Sequence, residues 1–426
     1  MELVQKTIDF FLRRKWLGIL LVASLALGVG ISTFYRGAIS PKQRTDLTVF
    51  LIAGEMVAEG RADHIYGIEN IRHWHYVYPP ILAILLAPIS QWPLGVNVAL
   101  AYLLSLACLA GTIMLSLRFK ENAKPKPWQI VLAMLFCLPL LLNTLTRGQL
   151  GTISLFFAAW IFYAYFEQKK IMAGVLLALA VTLKISPLAF LAFFFLMKRE
   201  WKILISAAAG FVFFFFVFPS FVIGFETNFA LLKTWVELMS FSQTSAAPQH
   251  YLWGELFTPF TDDNQSIYAT VTRLAWGSQE AFIRYPNHFI KMMTSAIGFI
   301  LLALPFLKTK KDDIARAKDP LRSLTEFSLF LMIMLFASPV TQIHHYTVAY
   351  FLFLAALMTA EKCERRSWSR RSLWISMWLC AFCFIVGKIF WQAGEWGLPL
   401  WGSMLLWGVV LLNLPGKSAE DPLKQP

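Results

Sequence analysis

The chain has 426 residues, of which 58% are hydrophobic and 15% charged, and its formal net charge is +13. A water-soluble domain carries about 25% charged residues, so a soluble enzyme is excluded. The positive charge sits in short clusters between apolar runs, which argues against a nucleic-acid surface and for the cytoplasmic loops of a polytopic membrane protein. Lipid leaves no partner for free backbone groups, so the spans are helices. No run of about 10 alternating residues suggests a barrel.

In chain order, Arg13, Arg14 and Lys15 precede the apolar run Trp16–Tyr35, long enough to span a bilayer and too long for a signal-peptide core. It reads as a retained anchor with its N-terminus inside. Residues 36–77 form a first extracytoplasmic loop. Apolar runs follow near 78–93, 94–117, 128–145, 150–166, 171–183, 186–197 and 203–224. A polar-aromatic stretch, 225–285, is a second large extracytoplasmic loop. Further runs lie near 286–307, 323–340, 343–360, 372–391 and 397–414, before a cytoplasmic tail, 415–426.

Counted singly, these runs make thirteen crossings and would put the tail outside, against the sidedness of the basic loops. One crossing is therefore expected to be false, within 78–117, where a short Pro-rich run would dip in and return or merge with its neighbour. The fold class is an all-α polytopic membrane protein, a single domain over 1–426 with about twelve transmembrane helices.

Most unusual polar groups fall on the outer face: Asp46, Tyr78-Pro79-Pro80, Arg147-Gly148-Gln149, Lys184, Asn264-Gln265-Ser266 with Arg273, and His344-His345. Ionisable groups gathered at one membrane face suggest a shared site. Each also has a plain structural reading. Asp46 precedes LTVFLIAGEMVAEG, where it would cap a surface-lying amphipathic helix with Thr48, Glu55 and Glu59 on its polar strip. Spacing alone leaves that cap and a catalytic base both open. Arg147 ends an apolar run and would snorkel. Adjacent histidines on an α-helix point about 100° apart, so only one of His344 and His345 would face a given site. Lys184 stands at a break, since Pro187 disfavours helix at Ser186, and broken backbone at membrane depth lines cavities.

His64, His73 and His75 read as headgroup-level residues rather than metal ligands; the five cysteines suggest no disulfide framework, and Cys380 and Cys383, on one helix face, read as small packing residues rather than a metal site. No phosphate loop, dinucleotide fingerprint, DxD pair, nucleophile elbow or HExxH occurs. No cofactor or metal is expected.

Taken together, these residues resemble glycosyltransferase family 87, of the GT-C superfamily. The resemblance runs from about Asp46 to Tyr346. It rests on Asp46 with Tyr66 after it, and on YPP leading to Leu85-Leu86-Ala87-Pro88. GQ follows, with Gly151 where Asn is usual, then Ala173-Gly174 and Leu183-Lys184-Ile185-Ser186-Pro187. NQS with Arg273 comes next, and last SPVTQIHH, where Gln342 replaces the usual Trp.

The resemblance implies a GT-C-like bundle with interfacial helices in its first outer loop. It implies a polyprenyl-phosphate sugar donor, a lipid-linked or glycan acceptor, and inverting transfer of a hexose, mannose in the best-known members. The site would open on the extracytoplasmic face of the inner (plasma) membrane, with membrane lipids as the surrounding partner and no nucleic acid. Asp46 would be the base, His344 its assistant or the acceptor's positioner, and Lys184 the phosphate ligand, with Arg273 or Arg147 as second candidates. Tyr78, Gln149, Asn264, Gln265 and His345 would bind substrate, and helices near 78–118 and 171–224 would hold the prenyl chain. A transporter or flippase would need midplane charges and internal symmetry, neither visible here. A polymerase or ligase of lipid-linked glycans is the other alternative.

Overall fold

The computed structural model describes residues 15–414 except 44, 70, 72, 121–122, 242–257, 285–287 and 309–318. The tail 415–426, the second loop's middle and most of the 308–318 basic cluster lie outside the described residues. Among the described residues the chain is helical, without strands. Seven helices are long and apolar enough to cross a bilayer, or eight if one bent pair is a single span.

The first half comprises α1 (Lys15–Phe34), α2 (Leu47–Ala58), α3 (Pro80–Ser90), α4 (Leu94–Leu117), α5 (Pro127–Phe136), α6 (Leu138–Arg147), α7 (Gly151–Phe166) and α8 (Lys170–Leu183). Then come α9 (Leu191–Met197), α10 (Trp201–Val212), α11 (Phe218–Ile223) and α12 (Phe225–Phe241). The last part holds α13 (Ile267–Trp276), α14 (Gln279–Arg284), α15 (His288–Lys308), α16 (Pro320–Ala337), α17 (Ala349–Lys362), α18 (Trp368–Ile389), α19 (Trp391–Glu395) and α20 (Leu398–Leu412).

Prolines set several boundaries. Pro80, Pro127 and Pro320 each open a helix, where a missing N–H costs nothing. Pro139 interrupts the ladder between α5 and α6, which meet at 66°. The centre of the bundle is α16 and the segment Ile343–Lys362, 83% and 94% buried, whereas Trp16–Ile39 is 6% buried and borders the protein. Lys198, at the end of α9, and Arg322 both reach Glu326, which is fully buried in α16.

The run at 78–93 becomes α3, too short to span, and α2 lies against it: a Cβ on Gly54 would sit 3.1 Å from the Leu86 backbone. This corrects the surface-lying reading of residues 47–59. Leu47, Thr48, Val49, Phe50, Leu51 and Ala53 are all buried inside the protein. The polar strip survives only at Glu55 and beyond, and burial of both faces follows from α2 packing on α3 while facing the cavity described next.

Candidate active site

Residue 46 stands at the N-cap position of α2, but its side chain does not do the capping. The Asp46 side chain makes no cap bond; the Leu47 amide donates to Thr45 Oγ1 at 3.2 Å, and Thr48 Oγ1 donates to the Thr45 carbonyl. The carboxylate turns the other way. Its Oδ2 accepts from Arg147 Nε at 2.9 Å and from Gln149 Nε2 at 2.6 Å. Its Oδ1 accepts one longer bond, 3.4 Å, from Arg147 Nη2. So Arg147 does not snorkel; with its side chain largely buried it forms an ion pair.

The RGQLG turn makes this approach possible. Gly148 ends α6 at φ +66, and a Cβ there would meet Thr45 Oγ1 at 3.0 Å and the Leu47 Cβ at 3.1 Å. With that space free, the Arg147 carbonyl accepts from the Asp46 amide at 2.8 Å and from Thr45 Oγ1 at 3.0 Å. Two segments a hundred residues apart are thus stitched at one peptide. Gly151 has a similar reason: its Cβ would lie 3.1 Å from the His344 carbonyl. The Asn usual in the family does not fit there without movement.

Gln149 passes the network on. Its Nε2 serves Asp46, while its Oε1 accepts from Lys184 Nζ at 3.5 Å. Lys184, extended at φ −157 and ψ 108, breaks the α8 ladder and carries its side chain inward, 6% exposed. Its Nζ lies 3.3 Å from His344 Nε2. An ammonium can only donate, so with Lys184 charged the contact requires Nε2 as the acceptor. Among the described residues no carboxylate lies within ion-pair distance of Lys184.

Asp46, Tyr78, Arg147, Gln149, His344 and His345 line a cavity of about 530 Å³; Lys184 stands behind that lining, touching it through Gln149 and His344. Its apolar walls are Val49, Phe50, Val77, Ile185, Trp235, Met239 and Val340. Both histidines line it, against the expectation that only one would; they lie in the 3₁₀ helix 343–348, and their rings meet edge to face at 4.5 Å. Tyr78 packs edge-on against Phe50 at 5.0 Å, and burial, then the Asp46 charge, push its phenol up, so it stays protonated.

Arg273, Asn264 and Gln265 are placed differently. The Arg273 guanidinium donates to the carbonyls of Glu395 (2.8 Å), Pro259 (2.6 Å), Thr261 (2.8 Å) and Asn264 (2.9 Å), outside the cavity lining. Burial pushes it down to about 10, with Asp262 and Glu395 opposing, so it remains charged at neutral pH. Asn264 Oδ1 accepts from the Thr341 amide at 3.1 Å, and the Gln265 amide donates to the Thr341 carbonyl at 2.7 Å. NQS therefore pins the SPVTQ segment that leads into the histidines. Arg273→Ala is expected to cost about 3 kcal/mol, since several buried carbonyls lose a charged donor. The check is a lower thermal midpoint in detergent with the cavity's ligand affinity retained in the folded fraction.

The sequence reading missed Trp74, Asp263 and Lys388. Asp263 accepts from Arg147 Nη1 at 3.4 Å and faces Lys388 Nζ at 3.7 Å, extending Asp46–Arg147 into a row of alternating charges. Trp74 lies over the Arg147 guanidinium, 5.4 Å from its centroid. The only signal was a second acid directly before NQS and a Trp between two histidines. Those histidines face an acid: His73 Nδ1 is 2.9 Å from Glu69, and His75 Nε2 is 3.7 Å from it. Among the described residues no group of His, Cys, Asp and Glu has a metal site's arrangement.

A carboxylate oriented by a cation and an amide, beside a buried lysine in an apolar-walled cavity, suits displacement of an anionic leaving group by a hydroxyl. No curated protein and no solved structure matches the chain significantly. The family model for glycosyltransferase family 87 matches residues 76–339, from Tyr76, two residues ahead of YPP, through Pro339 of SPVTQ. The match covers more than half of the sequence, and the chain belongs to glycosyltransferase family 87, a membrane glycosyltransferase.

Proposed function

We propose that the chain transfers a hexose, mannose first among candidates, from a polyprenyl-phosphate donor to a lipid-linked or glycan acceptor. The observation that carries this is Asp46 on an apolar-walled cavity, joined through one amide, Gln149, to Lys184 just behind the lining. Asp46 Oδ1, with one long hydrogen bond, keeps lone pairs for an acceptor hydroxyl. As that hydroxyl oxygen forms its bond to the anomeric carbon, its proton passes to Oδ1, and the bond from that carbon to the phosphate oxygen breaks with inversion. A positioned base contributes about 10²–10⁴-fold. The leaving phosphate stays ionised and takes donors from Lys184 and Arg147. His344, accepting from Lys184, aims that ammonium rather than acting first as a base. Tyr78 and His345 line the space for the sugars, and Phe50, Trp235 and Met239 offer a wall for the prenyl chain.

The reading places a single GT-C-type domain in the inner (plasma) membrane with this cavity on the extracytoplasmic side. Joining α5 to α6 and adding α7, α8, the 185–197 pair and α20 to the seven long spans brings the crossings to twelve, with both ends cytoplasmic. The α2–α3 pair is then the dip in the outer leaflet. The test is purified protein in liposomes with radiolabelled polyprenyl-phosphate hexoses and a panel of acceptors. Labelled acceptor supports the reading. Transbilayer movement without labelled product would instead make it a flippase, and chain growth a polymerase.

A further inference from the structure

A second cavity, about 770 Å³, lies on the far side of the wall that Trp74, Arg147 and Asp263 form, and it shares those three residues with the first. Its body is apolar: Leu135, Leu138 and Leu142 on α5 and α6, and Ile385 and Ile389 on α18. Its cations come from three different helix ends. Arg147 is the last residue of α6, Lys388 the last but one of α18, and Arg36 belongs to the final turn after α1. Asn143 also lines it, and its side-chain oxygen is buried with no hydrogen-bond partner among the described residues. Leu135, Leu138 and Ile385 are largely exposed at their outer surfaces or half-buried, so the groove opens sideways toward lipid.

An apolar channel between spans whose polar end carries three cations against one lining carboxylate, Asp263, has the charge pattern of an anionic-lipid site: chains along the leucines, a phosphate at the arginine and lysine. A bulk lipid would need no connection to the first cavity, yet this groove abuts the pair Arg147–Asp46. Resting on the transferase reading above, we infer that the groove between α6 and α18 holds the acceptor, a lipid whose phosphate lies at Arg36 and Lys388. Its glycan then crosses Trp74 and Asp263 to bring a hydroxyl to Asp46. The donor keeps the Lys184 side. The two substrates meet at Arg147, and each enters from a different lipid face. Lys388 sits within ion-pair reach of Asp263, so a phosphate arriving there competes for the same ammonium and loosens Asp263 from the wall.

The experiment has two arms. In the first, the purified full chain is photolabelled with phosphatidic acid carrying a diazirine in its acyl chain, and separately with phosphatidylcholine of the same chain. Crosslinks from the phosphatidic acid are expected on 135–142 and 385–389, several-fold above the neutral lipid, and reduced at least threefold in the Arg36→Ala/Lys388→Ala double variant. Equal labelling by both lipids, or unchanged labelling of the double variant, overturns the groove as an anionic-lipid site. This arm needs no transfer, so it stands even where no donor is turned over. In the second arm, Arg36→Ala is expected to raise the KM for a phosphate-bearing glycolipid acceptor tenfold or more, with kcat and the KM for a short soluble oligosaccharide unchanged. If labelling follows the first expectation but the KM for both acceptors is unchanged, the groove holds only a structural lipid and the acceptor assignment is wrong. Leu142→Trp, which fills the groove without touching a charge, is expected to reproduce the KM effect.

Discussion

Asp46→Asn is expected to lower the initial transfer rate about 10²-fold or more, with the fold and donor binding nearly intact. The geometry says why. Oδ2 carries the two short hydrogen bonds, from Arg147 Nε and Gln149 Nε2, so an asparagine places its carbonyl oxygen there and keeps both. Its amide nitrogen then takes the place of Oδ1, and a donor faces the incoming hydroxyl where a base is required. The helix start is untouched, because the Leu47 amide bonds Thr45 Oγ1 and not the Asp46 side chain. Arg147 loses one charged partner but keeps Asp263 at 3.4 Å, which limits the loss of stability. Asp46→Glu keeps the charge and moves it by a methylene, so a partial rate is expected. The measurement is the initial rate of the three proteins in one detergent, with circular dichroism and donor-protection of thermal unfolding as fold controls. An Asn variant within about threefold of wild type would remove the base assignment.

Composition and charge placement made the all-α polytopic class legible, because lipid imposes it on any sequence of this kind. What they left open was environment. A helix that faces lipid and one that faces apolar protein have the same side chains, so Pro80–Ser90 read as an ambiguous crossing, and α2 read as a surface helix although the protein buries it. The site was legible in part for a related reason. Asp46, Tyr78, Arg147, Gln149, Lys184, His344 and His345 are polar groups in an apolar chain, and such groups are costly unless they meet. Sidedness brings them to one face, and they do lie together. Sidedness carries no direction, however. Arg273 sits on the same stretch as NQS, but the loop 258–264 folds back over its guanidinium, a contact no spacing encodes. Asp263 and Lys388 are 125 positions apart and meet only through the bundle. The two histidines were misjudged because the cavity is broad enough to touch both rings, which an angle between neighbouring side chains does not exclude.

Lys184→Met separates binding from folding at the other end of the network. Lys184 is a buried cation with a neutral amide and an imidazole at 3.5 and 3.3 Å and, among the described residues, no acid to pair with. Such a charge is a cost to the protein's stability, and a thioether of similar length relieves it. The thermal midpoint of the Met variant is therefore expected to equal or exceed that of wild type. Transfer is expected to fall about 10²-fold or more, because the departing phosphate loses its buried donor. Lys184→Arg keeps the charge but spreads it over a planar fork that the space between Gln149 and His344 was not built for, so it is expected to recover only part of the rate. His344→Ala tests the same contact from its partner: with nothing accepting at Nε2, the ammonium is free to turn, and the KM for donor should rise more than kcat falls. The readouts are donor KM, kcat and thermal midpoint for each variant. A stabilised and fully active Met variant would show that the lysine does not hold the leaving group, and would shift that role to Arg147, the next cation along the cavity wall.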